Sequence, residues 1–199
     1  MRDRPPLVKP LDLPGHSAPA VGFEVPLEML AACHGRVEGQ CATLQRLSVH
    51  LAGHGVDPQA QEAAAAVMRY FDTSAAHHHA DEEVDLFPAL IESMAGSDAV
   101  CLRALTASLT AEHRELEQRW RALRRRLEQV AGGHAATLPD EELLGFTGLY
   151  ERHIAREEAE LLPMAARLLS DAELGRIGLA MRARRGAFEP ASLPPSSPA

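Results

Sequence analysis

The sequence predicts an all-α protein: an up-down-up-down four-helix bundle with a short extra C-terminal helix and an extended N-terminal arm. Three observations predict it. Four long segments carry apolar residues at steps of three and four, the period of a helix buried along one stripe. Short stretches rich in Gly and Pro separate them, and short connections make neighbouring helices antiparallel. Alternating runs that would mark strands are nearly absent.

Residues 1–24 include Pro5, Pro6, Pro10, Pro14 and Pro19, and are expected to form the arm. The first helix starts near Pro26 and ends around Gly53 and Gly55. Its seam reads Leu27, Leu30, His34, Val37, Cys41, Leu44, Leu51. Asp57 is a natural N-cap for the second, with Pro58 in the first turn. That helix is expected to reach about Met94, stop at Gly96 and kink at Pro88. Its seam reads Val67, Phe71, Ala75, His78, Glu82, Leu86. The third starts after Ser97 and ends at Gly132 and Gly133. Its seam reads Leu102, Leu105, Leu109, His113, Leu116, Trp120, Leu123, Leu127, Val130. The fourth starts near Thr137 or Asp140 and runs through Pro163 to about Leu169. Its seam reads Leu143, Phe146, Tyr150, His153, Glu157, Leu161, Met164, Leu168. Ser170 and Glu173 form a capping-box pattern that opens a fifth helix ending near Arg185. The bundle is thus assigned to 25–169, the short helix to 170–186 and a disordered tail to 187–199.

The 199 residues carry 28 acidic and 20 basic side chains, a net charge of −8. That balance argues against nucleic acid as a partner, since phosphate binding needs clustered positive charge. Arg119, Arg121, Arg124, Arg125 and Arg126 do cluster, but Glu115 and Glu117 each precede an Arg by four residues, and the group reads as a solvated helix face. No apolar run approaches the ~20 residues of a membrane span, and the N-terminus lacks the apolar core of a signal peptide. No membrane association and a cytoplasmic location are the expectations. Cys33, Cys41 and Cys101 show no CxxC spacing and read as buried free thiols.

The compositional surplus is ten His. His34, His78, His113 and His153 fall one to each seam, and Glu82 and Glu157 follow two of them by four residues. Any one of these His alone reads as a satisfied core residue. Four of them, with two seam glutamates and no seam Lys or Arg, call for a cation, because an ionised carboxylate in a core costs several kcal/mol unless it is paired. The chain also repeats itself. His78, Glu82, Glu83, Leu86 and Pro88 recur as His153, Glu157, Glu158, Leu161 and Pro163, at a constant offset of 75. The repeat selects His78–Glu82 among the three overlapping pairs that His77, His78 and His79 offer. His79 then aligns with Ile154 and is expected to be partly buried rather than ligating; His77 goes to the surface or to a supporting position.

Glu38 and Glu117 stand one step off their seams and read as flanking residues. His16, His50, His54 and His134 receive no role. Mixed imidazole and carboxylate ligands suit iron, manganese or zinc. Six ligands are too many for one ion that keeps an open position, whereas two ions bridged by both Glu fit the repeat. Ala31, Ala75, Thr110 and Tyr150 stand three residues before the seam His, so the Glu-x-x-His pattern of ferritin-like sites is absent.

On His34, the run at 78–88, the Glu112–His113 pair and the run at 153–163, the chain resembles the hemerythrin-like HHE cation-binding domain over roughly residues 27–168. The resemblance implies a four-helix bundle around a non-haem di-iron centre. By analogy His34 and His78 bind one iron and His113 and His153 the other. Glu82 and Glu157 bridge them, with an oxo or hydroxo group between two Fe2+/Fe3+ ions; manganese or zinc is the lesser alternative. Oxygen-carrying members have a fifth His four residues before the helix-3 His. Here that position is Leu109, while Glu117 offers a carboxylate one turn beyond. The similar iron–sulfur repair proteins carry a Cys-bearing N-terminal segment, and residues 1–26 contain no Cys.

The resulting expectation is a di-iron protein that binds or responds to O2, NO or peroxide, for sensing, storage or stress protection. The alternative is a di-iron oxidase or peroxidase, or an iron donor in iron–sulfur cluster repair, with an electron-transfer partner. Tyr150, one turn before His153, reads either as packed core or as a hydrogen-bond donor to a ligand. Whether the chain is an enzyme, and its oligomeric state, stay open.

Overall fold

The computed structural model describes residues 22–94 and 98–187. The arm before residue 22, the tail after 187, and the expected stop and start signals Gly96 and Ser97 lie outside the described residues. Those described form helices and turns, with no strand among them.

Helix α1 spans Pro26–His54. Helix α2, residues 58–93, consists of α-helical stretches Pro58–Tyr70, Ala76–Ala80 and Phe87–Ser93, joined through π-helical turns at Phe71–Ala75 and Asp81–Leu86. Helix α3 is Asp98–Ala131. Helix α4, residues 140–168, runs through Asp140–Arg156, a π-helical turn at Glu157–Leu161, and Leu162–Leu168. Helix α5 is Asp171–Arg184.

The ends form for local reasons. Asp57 Oδ1 accepts the Ala60 amide at 2.8 Å, satisfying one of the amides a helix start leaves free. His50 of α1 meets the other Asp57 oxygen at 3.0 Å, joining the end of α1 to the start of α2. Ser170 and Glu173 form both halves of the capping box. Helix α3 ends at Gly133, whose φ of 78° lies in the left-handed region that glycine enters without steric cost.

Pro88 and Pro163 act differently from the simple kink expected of them. Each lies just after a π-helical turn, and the helix then continues. A proline has no amide to donate and crowds the carbonyl four residues back, and a wider turn relieves both. The wider turn also moves the buried stripe. After Leu161 the core takes Ala165 and Leu169, while Met164 and Leu168 of the expected seam are half-buried. Leu27 is likewise half-buried, and Cys101 is exposed rather than buried; Cys33 and Cys41 are buried, and all three thiols are free.

Helix α1 packs on α2 and α4, and α3 packs on the same two, so the four enclose one interior. Its apolar filling falls into two clusters. One contains Leu44, Phe71, Trp120, Phe146 and Tyr150. The other contains Leu30, Leu86, Leu90, Leu109 and Leu161. Each fully buried Leu contributes about 1.5–3 kcal/mol. Helix α5 lies against α1 and the Asp81–Leu86 turn. There Arg184 and Arg185 pair with the fully buried Asp81, and Arg184 also holds Asp85 at 2.6 Å. Gly178 lets α5 approach the backbone at Phe23 so closely that any Cβ would overlap the Phe23 carbonyl.

Among the described residues no helix is long and apolar enough to cross a membrane. The arginine cluster on α3 is laced with acids as expected. Arg119 meets Glu115 at 2.6 Å, Arg121 meets Glu117 at 3.5 Å, and Arg124 and Arg126 bind Asp72 and Glu142.

Candidate metal centre

The six residues singled out from the sequence meet at one place, between the two apolar clusters. His34 comes from α1, His78 and Glu82 from α2, His113 from α3, and His153 and Glu157 from α4. All six are buried, none more than 2% exposed. They form two overlapping groups in which one ligand atom per residue lies within 4.8 Å of the others: His34, His78, Glu82 and Glu157, and Glu82, His113, His153 and Glu157. Both glutamates belong to both groups. Each also begins or nearly begins a π-helical turn, a feature common at functional sites.

Around Glu157, Nε2 of His34 lies 3.2 Å and Nε2 of His153 3.1 Å away. Around Glu82, Nε2 of His113 lies 3.3 Å and Nε2 of His78 3.5 Å away. Yet no oxygen of either glutamate makes a hydrogen bond, and neither does Nε2 of His34. Buried polar atoms are normally satisfied. Here the atoms are near one another without being aimed at one another, which is how ligand lone pairs converge on a shared cation.

The other ring nitrogens explain the orientation. Nδ1 of His113 lies 2.8 Å from Glu83, Nδ1 of His34 lies 3.1 Å from Glu158, and Nδ1 of His153 lies 2.9 Å from Glu112. A carboxylate only accepts, so each Nδ1 carries the proton and each Nε2 presents its lone pair inward. The Nε2 atoms of His113 and His153, 3.0 Å apart, are then two lone pairs rather than a hydrogen bond, a repulsive arrangement without a positive charge between them. Glu83 and Glu158 are equivalent in the repeat and cross over. Glu83 of the first half holds His113 of the second, and Glu158 of the second half holds His34 of the first. Arg114 and Arg156 in turn hold Glu83 and Glu112.

The electrostatics follow. Burial, then the neighbouring Glu157, push the Glu82 carboxyl well above its ordinary range. Burial opposes ionisation of Glu157 too, but His153 and His34 outweigh it and hold its carboxyl well below the usual range. Burial holds the His78 imidazole down to about 3, so it is a neutral ligand at physiological pH. Burial works against protonating His34 and His153, but Glu157 beside each outweighs it and their pKa values rise. The six residues fit a divalent or trivalent cation pair: four imidazoles, two carboxylates, and no competing Lys or Arg within the cluster.

Glu38 is exposed and Glu117 half-buried, both off the centre as their places beside the seams predict, and Glu117 binds Arg114 and Arg121. His79 is buried more deeply than expected. It stacks on His113 with ring centroids 4.0 Å apart and 12° between planes, and its Nε2 lies 3.5 Å from the Tyr150 hydroxyl. Burial pushes the Tyr150 phenol well above its ordinary value, so it stays a donor. The supporting carboxylates Glu83, Glu112 and Glu158 were not assigned from sequence. Their signal was present in the doubled Glu of each repeat and in the Glu112–His113 pair.

Fold and cluster together define a helical bundle built around a buried imidazole–carboxylate centre. Residues 25–165 match the hemerythrin HHE cation binding domain, and the chain belongs to that metal-binding family. It is also similar to an uncharacterized protein of Haemophilus influenzae, 33% identical over 160 residues that cover 80% of this chain and 90% of that protein.

Proposed function

We propose that this chain is a di-iron protein with an up-down-up-down bundle, which binds or responds to O2, NO or peroxide in sensing, storage or stress protection. His34 and His78 would hold one ion, His113 and His153 the other, and Glu82 and Glu157 would bridge. The observation that carries this reading is the sharing of both glutamates by two four-residue groups, with every glutamate oxygen lacking a hydrogen bond. The mixed nitrogen and oxygen set favours iron, with manganese and zinc as alternatives. When bound, two irons supply one-electron redox steps and Lewis acidity.

The chain's own residues do the rest. Glu83, Glu112 and Glu158 keep three rings oriented. The apolar clusters on either side keep bulk water from the centre. Leu109, fully buried, fills the space beside His113 with hydrocarbon instead of a fifth nitrogen. That substitution favours the second reading, a di-iron oxidase or peroxidase or an iron donor in cluster repair, because it leaves one ion short of a protein ligand.

The test is metal content per chain after expression with iron, together with the near-ultraviolet ligand-to-metal spectrum, for the wild type and for Glu82→Ala with Glu157→Ala. Two irons per chain, lost in the double variant, are expected. A folded wild type with no metal, or with a single zinc, would overturn the reading. Sustained turnover during ferrous oxidation, rather than stable ligand binding, would select the enzyme.

A further inference from the structure

We propose that the groove between α2 and α3 is the route by which a small exogenous ligand reaches the ion held by His113 and His153, and that His79 and Tyr150 at its inner end hydrogen-bond that ligand. This rests on the reading of the centre given above.

The groove encloses about 310 Å³ and is open to solvent. Ala76 lines it from α2, Leu116 and Trp120 line it from α3, and Glu117 lines it too. His79 and Tyr150 line it as well, and both are buried. So the groove runs from the half-buried Glu117 carboxylate to two polar side chains beside the centre. One ring nitrogen of His79 lies within 4.8 Å of nitrogens of both His113 and His153.

That proximity suggests a ligand, but the stacking argues otherwise. Imidazole lone pairs lie in the ring plane. Rings stacked 12° from parallel at 4.0 Å point their lone pairs side by side, not at one ion. His79 therefore caps the face of His113 rather than completing its metal. Its Nε2 and the Tyr150 hydroxyl, 3.5 Å apart, make a loose contact at the limit of a hydrogen bond. A small acceptor entering between them gains a partner without breaking a strong bond.

The opposite approach is closed. Leu109, one turn before His113, packs with Leu86, Leu105 and Leu161 in the second apolar cluster. The coordination space that lacks a fifth histidine is therefore sealed on that side, and access falls to the His79 side. Glu117 then serves along the groove rather than at the metal.

The test uses azide as the probe, titrated into the iron-loaded, oxidised full-length chain and followed by its charge-transfer band, with iron per chain and thermal melting measured alongside. The variants are Tyr150→Phe, His79→Ala and Ala76→Phe, the last filling the groove from an exposed position along it. Each is expected to keep the wild-type iron content. Tyr150→Phe and His79→Ala should each weaken azide about tenfold, the worth of one hydrogen bond at a charged ligand. Ala76→Phe should slow azide association at least tenfold. Azide affinity and rate unchanged in all three variants at full iron content would overturn the inference and leave the metal centre standing. Loss of iron in His79→Ala alone would overturn it differently, by making His79 a ligand. A wild type that takes up no metal would overturn the reading of the centre, and this inference with it.

Discussion

Each imidazole that donates Nδ1–H to a carboxylate has its ring angle fixed and its Nε2 made a better ligand. Glu83 and Glu158 perform this for His113 and His34 across the two halves of the chain. Glu83→Ala or Glu158→Ala should therefore weaken metal binding by about 10–100-fold without unfolding the chain. Competition against a chelator of known affinity measures it. Glu160→Ala, an exposed carboxylate near the same turn, is the control expected to do nothing. If Glu83→Ala binds as tightly as the wild type, the supporting role is wrong. At this scale the sequence was informative about the six inward residues, because a His or Glu interrupting an apolar stripe is visible as an interruption. It was less informative about His79. Its alignment with Ile154 spoke only for bulk, and the ring stacked on His113 comes from another helix. No spacing rule along one chain segment reports such a contact.

Helix ends and helix irregularities behaved differently as sequence signals. Asp57 and Ser170 punctuate the chain with side chains that bond their own neighbours, and Gly133 with a left-handed backbone, so local chemistry was enough to place them. The π-helical turns at Asp81–Leu86 and Glu157–Leu161 were not legible, because a 3.6-residue period assumes no inserted residue. The proline after each turn marked the irregularity but not its form. Asp81 shows the consequence: it is buried beside Glu82, yet it faces α5 and its two arginines. The cap at Asp57 can be tested by pH. The Ala60 amide is the main cause that lowers the Asp57 carboxyl, and His50 assists. A carboxylate with a lowered folded-state pKa adds stability above its unfolded value, near 4, and loses it as pH falls through the lowered value. Asp57→Ala should cost about 1 kcal/mol at pH 7. Its melting curve should converge on that of the wild type as the pH falls below the lowered value. A gap that persists at acid pH would mean that packing, not the charged cap, sets the loss.

For the molecule as a whole, the centre is a debt in the metal-free state. Glu82 and Glu157 lie in one buried space, each oxygen without a hydrogen bond, and burial together with Glu157 opposes ionising Glu82 there. Ions that bind only the folded chain reverse the sign, adding about 4 kcal/mol when free metal exceeds its dissociation constant a thousandfold. For a chain of this size about 1 kcal/mol moves the melting temperature by about 2–4 °C. Iron loading should therefore raise it by roughly 8–16 °C over the chelator-stripped protein. Glu82→Gln separates the two effects. The variant removes the disfavoured carboxyl while keeping its shape, and leaves Glu157 with His34 and His153, so stripped variant should melt no lower than stripped wild type. It should also gain less from iron, because its amide is a poor ligand. Calorimetry on the four samples reads both differences. If stripping leaves the wild-type transition where it was, the four helices hold their shape without the centre. The two apolar clusters above and below it would then suffice for the fold.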